Sequence, residues 1–222
     1  MGMGKKYILF DMDGVLLDSE AGSFGFMRET LLKRGIHIEM DDLLGKIGKT
    51  SRQVAEELIR EYHLTETAEE FLEKNRKMGN YYADSRELKV MPGIYDFMEL
   101  LKTRGIRMGV VSSTRAVSVL TALNRLKLVS YVDAIVCGDM VKKPKPDPEC
   151  YLKAAKWLGA DPSECVVFED SPIGILAARN AGMRVAGFRG SELKQDTSEA
   201  DIEFDTFTQC ISEIDSILSS KI

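Results

Sequence analysis

Five short apolar runs, separated by segments with helical spacing, constrain this chain more than any other feature. They are YILF (7–10), IRMGVVS (106–112), DAIVCG (133–138), ECVVFED (164–170) and RVAGF (184–188). Each is short enough for a strand buried on both faces. Phe97, Leu100 and Leu101 mark a helix near 93–104, and Ala116, Val119, Leu120 and Leu123 mark one near 115–127. A third runs from Pro148 to Leu158, carrying Tyr151, Ala154 and Ala155 on one side. Ser171 and Pro172 open a fourth that stops at Gly182, and Phe207, Cys210, Ile211 and Ile214 define a last one near 206–218. Strands and helices in alternation pair in parallel through right-handed crossovers. The expected fold is therefore α/β: a three-layer, Rossmann-like core around a parallel sheet.

The alternation is interrupted once. Between residues 19 and 86 strands vanish and the chain turns helical and charged. Ala55, Leu58, Ile59 and Tyr62 recur at helical spacing, and TAEEFLEKNRKMGNYYA (67–83) reads as another helix. The expected organisation is a core domain of residues 1–18 and 87–222, with a helical cap domain of 19–86 inserted after the first strand. Asp18 and Ser19 fit an N-cap for its first helix.

Composition excludes several classes of function. The 222 residues are 44% hydrophobic and 29% charged, ordinary for a globular protein. Thirty basic against 35 acidic residues leave a net charge of −5, which argues against nucleic acid or an acidic membrane as partner. The apolar stretch near the N-terminus breaks at Asp11, too soon for a signal segment or a membrane span. A cytoplasmic monomer or weak dimer is expected. Cys137, Cys150, Cys165 and Cys210 lack metal-finger spacing and read as buried free thiols. His37 and His63 lie far from each other and from the aspartates, so neither a His-based triad nor a zinc site is expected.

Open α/β sheets bind ligands at the carboxyl ends of their strands. Here those ends carry Asp11 and Asp13, then Ser112 and Ser113, then Glu169 and Asp170, with Lys142 and Lys143 ahead of the stiff PKPDP. Two carboxylates about 4 Å apart repel by roughly 4 kcal/mol at an effective dielectric near 20, so such a cluster calls for a cation. Oxygen ligands from Asp11 and Asp170, with a backbone carbonyl near Asp13, suit Mg²⁺. Ser112 and the backbone N–H groups after it could hold phosphate oxygens, and Lys143 could neutralise a phosphoryl group. Taken singly, each of these residues has a plainer use as a turn former, a cap or a solvated charge. Their shared position at four strand ends is what makes a site.

DMDGVLLDSE (11–20), VVSST (110–114), KPKPDP (143–148) and VFEDSPIGILAARNAGM (167–183) also resemble, in order and spacing, the motifs of the haloacid dehalogenase-like hydrolases. Within that family the chain resembles the helical-cap subgroup of sugar-phosphate phosphatases related to β-phosphoglucomutase and phosphoglycolate phosphatase. The resemblance implies Asp11 as the nucleophile, forming an aspartyl-phosphate, and Asp13 as the general acid and base. It implies Mg²⁺ held by Asp11, the Asp13 carbonyl and Asp170, with Glu169 as a further ligand, direct or through water. Ser112 and Lys143 would hold the transferring phosphoryl group, with Ser113 beside them in substrate binding. Asp13 stands against the dehalogenating and phosphonate-cleaving branches. Within the insert, GKTSR (48–52) resembles a substrate-contacting cap loop, and Arg52 aligns with an arginine that mutase relatives use on a second phosphate; its plainer reading is a helix-surface charge.

The expected function is a Mg²⁺-dependent phosphatase acting on a small phosphorylated metabolite, a sugar or polyol phosphate. The alternative enzyme is a hexose-phosphate mutase. Ser23 stands where the mutases carry a cap histidine, which favours the phosphatase. A non-catalytic binding protein of the same fold is the third reading, against which every motif residue is present.

Overall fold

The computed structural model describes residues 6–46 and 49–219. The chain divides into two compact units, one running to Asp18 and resuming at Lys89, the other Ser19–Leu88. The return to the first unit thus lies two residues beyond the expected 87.

In chain order, β1 (Tyr7–Phe10) opens the first unit. The helical unit follows, with α1 (Glu20–Lys33), α2 (Met40–Leu44), α3 (Ser51–Glu61), α4 (Ala68–Met78) and α5 (Tyr81–Asp84). The first unit then resumes with α6 (Ile94–Thr103), β2 (Arg107–Val111), α7 (Ala116–Arg125), β3 (Ala134–Val136) and α8 (Glu149–Leu158). It ends with β4 (Cys165–Glu169), α9 (Pro172–Asn180), β5 (Arg184–Phe188), β6 (Ile202–Phe204), α10 (Phe207–Ser212) and α11 (Ile214–Leu218).

The strands form one parallel sheet in the order β3-β2-β1-β4-β5-β6. Its helices cover both faces, and successive side chains along a strand divide between them. Leu9 and Val167 point to one face, where Tyr151, Ala154 and Leu158 of α8 and Ile175 and Ala178 of α9 close over them. Their neighbours Phe10 and Phe168 point to the other face. There Phe10 meets Phe97 of α6 edge-on at 6.2 Å, and Phe207 of α10 stacks on Phe188 at 4.4 Å. Order reverses at β1, whose two sides are taken by β2 and β4. That is where such a sheet opens a crevice for a ligand.

Two features depart from the expected pattern. β6 is an edge strand of three residues with only Phe204 buried, too short and too acidic for a periodic signal. The last helix is broken at Glu213 into α10 and α11.

The helical unit has its own core of Leu31, Ile38, Leu43, Val54, Ala55, Leu58 and Phe71. Capping boxes start α3, between Thr50 and Gln53, and α4, between Thr67 and Glu70. Ser19 is the N-cap of α1 but makes no side-chain cap bond there. His37 and His63 are exposed. All four cysteines are free and buried, and burial pushes the Cys137 and Cys150 thiols up to about 11 and Cys210 to about 12. Among the described residues no helix is long and apolar enough to cross a membrane.

Candidate active site

The parallel register decides which side chains can meet. Phe10 pairs with Val110 on one side and Phe168 on the other, so Asp11 emerges between Val111 and Glu169. Its own N–H donates to the Phe168 carbonyl at 2.9 Å, the last ladder bond before β1 ends. The chain then turns sharply. Gly14 has φ +83° and donates its N–H to the Leu17 carbonyl at 2.8 Å. A Cβ at that position would lie 2.0 Å from Oδ2 of Asp170, so the turn needs glycine for its conformation and for its approach to β4.

One lysine joins the carboxylates, and it is not the expected one. Lys145 Nζ donates to Asp11 Oδ1 and to Glu169 Oε1, both at 2.5 Å, with the Tyr151 ring 5.1 Å below the ammonium. Lys143 is 72% exposed at its side chain and reaches only Asp147, at 3.6 Å. The reason is local: Glu149, in the first turn of α8, accepts the backbone N–H groups of Lys142 and Lys143 at 2.9–3.1 Å. That pins both residues at the rim, and the chain turns inward only at Lys145.

Glu169 also differs from expectation. Its Oε1 accepts from Lys145 and, at 2.7 Å, from the Tyr151 hydroxyl. Its Oε2 accepts from the Ser171 N–H at 3.2 Å and the Ser171 hydroxyl at 2.9 Å. With no exposure and both oxygens engaged, it anchors Lys145 instead of offering a metal a free oxygen. Gly174 closes this pocket, since a Cβ there would fall 1.9 Å from Glu169 Oε1. Gly174→Ala should destabilise the fold by ~3 kcal/mol in a denaturant titration, because a buried, hydrogen-bonded carboxylate must move. A loss under about 0.5 kcal/mol would show that the pocket is slack.

The remaining expected residues are placed as follows. Ser112 is buried after β2, and its hydroxyl accepts the Thr114 N–H at 3.0 Å. Ser113 is exposed, with its backbone packed so close to Gly138 that a Cβ there would lie 2.1 Å from the Ser113 carbonyl oxygen. Asp13 is half-buried and accepts from the Thr114 hydroxyl at 3.2 Å. Asp170 is buried and accepts from the Gln195 amide at 3.1 Å. Arg52 lies in the first turn of α3, mostly exposed and paired with Glu56 at 2.9 Å within its own helix. Of the 48–52 loop, Gly48 falls outside the described residues.

Lys145, Tyr151, Thr114 and Gln195 went unread in the sequence. Tyr151 shows there only as part of an apolar helix face, and Gln195 sits in a polar connection without a motif. Lys145 carried a usable signal, since a lysine between two prolines is held in a fixed direction.

Electrostatics decide what this arrangement can hold. Three carboxylates, Asp11, Glu169 and Asp170, are buried here beside one buried ammonium, Lys145. Burial pushes the Asp11 carboxyl up to about 8; Lys145 opposes this, while the neighbouring Glu169 and Asp13 add to it. Burial also raises Glu169, but Lys145 and the hydrogen bonds from Lys145, Tyr151 and Ser171 outweigh it and hold Glu169 below the ordinary glutamate value. Lys145 stays protonated, because its two carboxylate partners outweigh the burial that would lower it. One ammonium thus serves both Asp11 and Glu169, and it does not bring the Asp11 carboxyl back to its ordinary value. Among the described residues no three His, Cys, Asp and Glu side chains gather as a metal cluster. Two acidic side chains with a backbone carbonyl are instead the sparse oxygen set that a hydrated Mg²⁺ accepts. The residues present fit such an ion.

A family model described as haloacid dehalogenase-like hydrolase matches residues 8–188. A phosphorylated carbohydrates phosphatase of Thermotoga maritima is 35% identical over 176 residues, 79% of this chain and 81% of that one. A β-phosphoglucomutase of Bacillus subtilis is 31% identical over 190 residues, 82% of each chain. The crystal structure of a hydrolase from Pseudomonas syringae superposes with a TM-score of 0.79 at 28% identity, over 97% of this chain and all of that one. With Asp11, Ser112, Lys145 and Asp170 at the carboxyl ends of a sheet ordered 3-2-1-4-5-6, the chain belongs to the haloacid dehalogenase-like hydrolase family.

Proposed function

We propose that this protein is a Mg²⁺-dependent phosphatase for a small phosphorylated carbohydrate or polyol, working through an aspartyl-phosphate at Asp11. As an enzyme it is a phosphoric monoester hydrolase. The observation that carries the reading is the Lys145 ammonium held between Asp11 and the saturated Glu169. A cation fixed there can neutralise a phosphoryl oxygen without leaving Asp11. The T. maritima relative, named for phosphorylated carbohydrates, supports the substrate class.

Asp11 Oδ attacks phosphorus and the ester oxygen leaves as an alkoxide, which takes its proton from Asp13. Asp13 then removes a proton from water, whose oxygen displaces Asp11 and frees phosphate. Thr114, bonded to Asp13, steadies the acid between its two tasks. Ser112, buried at the end of β2, holds a phosphoryl oxygen alongside Lys145, and Ser113 borders the substrate. Asp11, the Asp13 carbonyl and Asp170 would hold Mg²⁺. Bound there, it would offset the charge on the phosphoryl group and on the carboxylates. The helical unit acts as a cap and selects the substrate, with Arg52 as its candidate contact.

The test is phosphate release from a panel of sugar and polyol phosphates, with Mg²⁺ and then with EDTA. The expected result is activity on at least one member that falls by about 10³-fold or more on chelation and returns with Mg²⁺. Full turnover in EDTA would sink the metal-dependent reading. The mutase reading is supported by similarity to the B. subtilis enzyme and opposed by Ser23, whose hydroxyl is spent on the Glu20 carbonyl at 2.9 Å. Conversion of a hexose 1-phosphate to its 6-phosphate without net phosphate release would favour the mutase.

A further inference from the structure

We infer that Gln195, in the connection between β5 and β6, is a positioning residue that sets the orientation of Asp170 toward the cation, an inference that rests on the metal reading above. Its Nε2 lies 3.1 Å from Asp170 Oδ2. A carboxylate can only accept there, so the amide group must be the donor. Asp170 follows a fully buried strand and is itself buried, with its carboxylate packed against Gly14. The Gln195 amide fixes one oxygen of that carboxylate by a directed hydrogen bond.

The connection is held at both ends and can present the amide at a constant place. Upstream, the Ser191 hydroxyl and the Glu192 N–H lie 3.5 and 3.4 Å from Asp18 Oδ1. Downstream, buried Thr197 hydrogen-bonds Glu203 of β6 and packs where a Cβ on Gly187 of β5 would meet it at 2.8 Å. The chemistry of the donor matters as well. A neutral amide orients the carboxylate and leaves its charge for a dication, whereas an ammonium would cancel it. Groups that orient metal ligands in this way are worth about 10–100-fold in metal affinity.

The experiment is a Mn²⁺ titration of the metal-free protein followed by electron paramagnetic resonance, with Mn²⁺ as the observable hard cation, alongside thermal melts without metal. Gln195→Ala should weaken Mn²⁺ binding about ten-fold, and Gln195→Lys should weaken it further. Both should melt within about 2 °C of the parent, since the residue is only half-buried in a loop. Asp170→Asn should abolish the site. Mn²⁺ affinity within about threefold of the parent in both Gln195 variants, with Asp170→Asn inactive in binding, overturns this inference and leaves the metal reading standing. Parent-like binding by Asp170→Asn, or no binding by the parent, overturns both. A Gln195→Lys variant that binds more tightly than Gln195→Ala overturns the charge argument, and with it the assigned role.

Discussion

Asp11→Asn is expected to lower phosphate release by about 10⁴-fold or more while making the metal-free protein more heat-stable at neutral pH. The two effects have one cause. The asparagine keeps the volume and still offers Lys145 an acceptor, but it cannot attack phosphorus. It also removes a buried carboxyl whose charged form is disfavoured enough to raise its pKa to about 8, burial being the main reason. A thermal melt should therefore shift upward by a few degrees as turnover disappears. Turnover within ten-fold of the parent would remove Asp11 from the nucleophile's place. A lower melting temperature would mean that the Lys145 contact, not the burial of charge, dominates at this position.

Lys145→Met against Lys143→Met gives the second large contrast. Removing one partner of a buried ion pair typically costs 3–5 kcal/mol, and Lys145 serves two carboxylates at once. Lys145→Met should therefore lose about that much in urea and about 10³-fold in kcat, since the phosphoryl group loses its fixed cation. Lys143→Met should stay within about 0.5 kcal/mol and about twofold of the parent, because its amine is at the surface. The reverse ordering would return the role to Lys143.

The sheet was legible because its strands are buried on both faces and must be apolar without interruption, as CVVFE is. The strand-end carboxylates were legible because chain order and strand ends alone place them. Lys145 was misread as Lys143 because three lysines within four positions differ only in which way the backbone points. That direction is decided by Glu149 capturing two backbone N–H groups. Glu169 reads as a ligand by its neighbour Asp170, yet Tyr151 and Ser171 had already claimed its oxygens. Ser171 stands two residues away but reads only as a helix cap, and Tyr151 comes from α8, with no local pattern to link it to Glu169. β6 and Gln195 share a simpler obstacle: one is a three-residue strand and the other a side chain in a polar connection, and neither leaves a periodic or motif signal.

The position of β1 bears on how the molecule is made. Its two neighbours arrive late, since Tyr7 pairs with Arg107 on one side and Cys165 on the other. During synthesis the central strand must wait for about half of the chain before its first flank, β2, exists, and longer for β4. The helical unit, with a core of its own, is complete well before that. Long-range pairing of this kind is slow and leaves apolar strands exposed meanwhile. The order of events therefore favours the insert: the helices between β1 and β2 can consolidate first, and the strand-end aspartates Asp11 and Asp170 come together only when β4 joins β1.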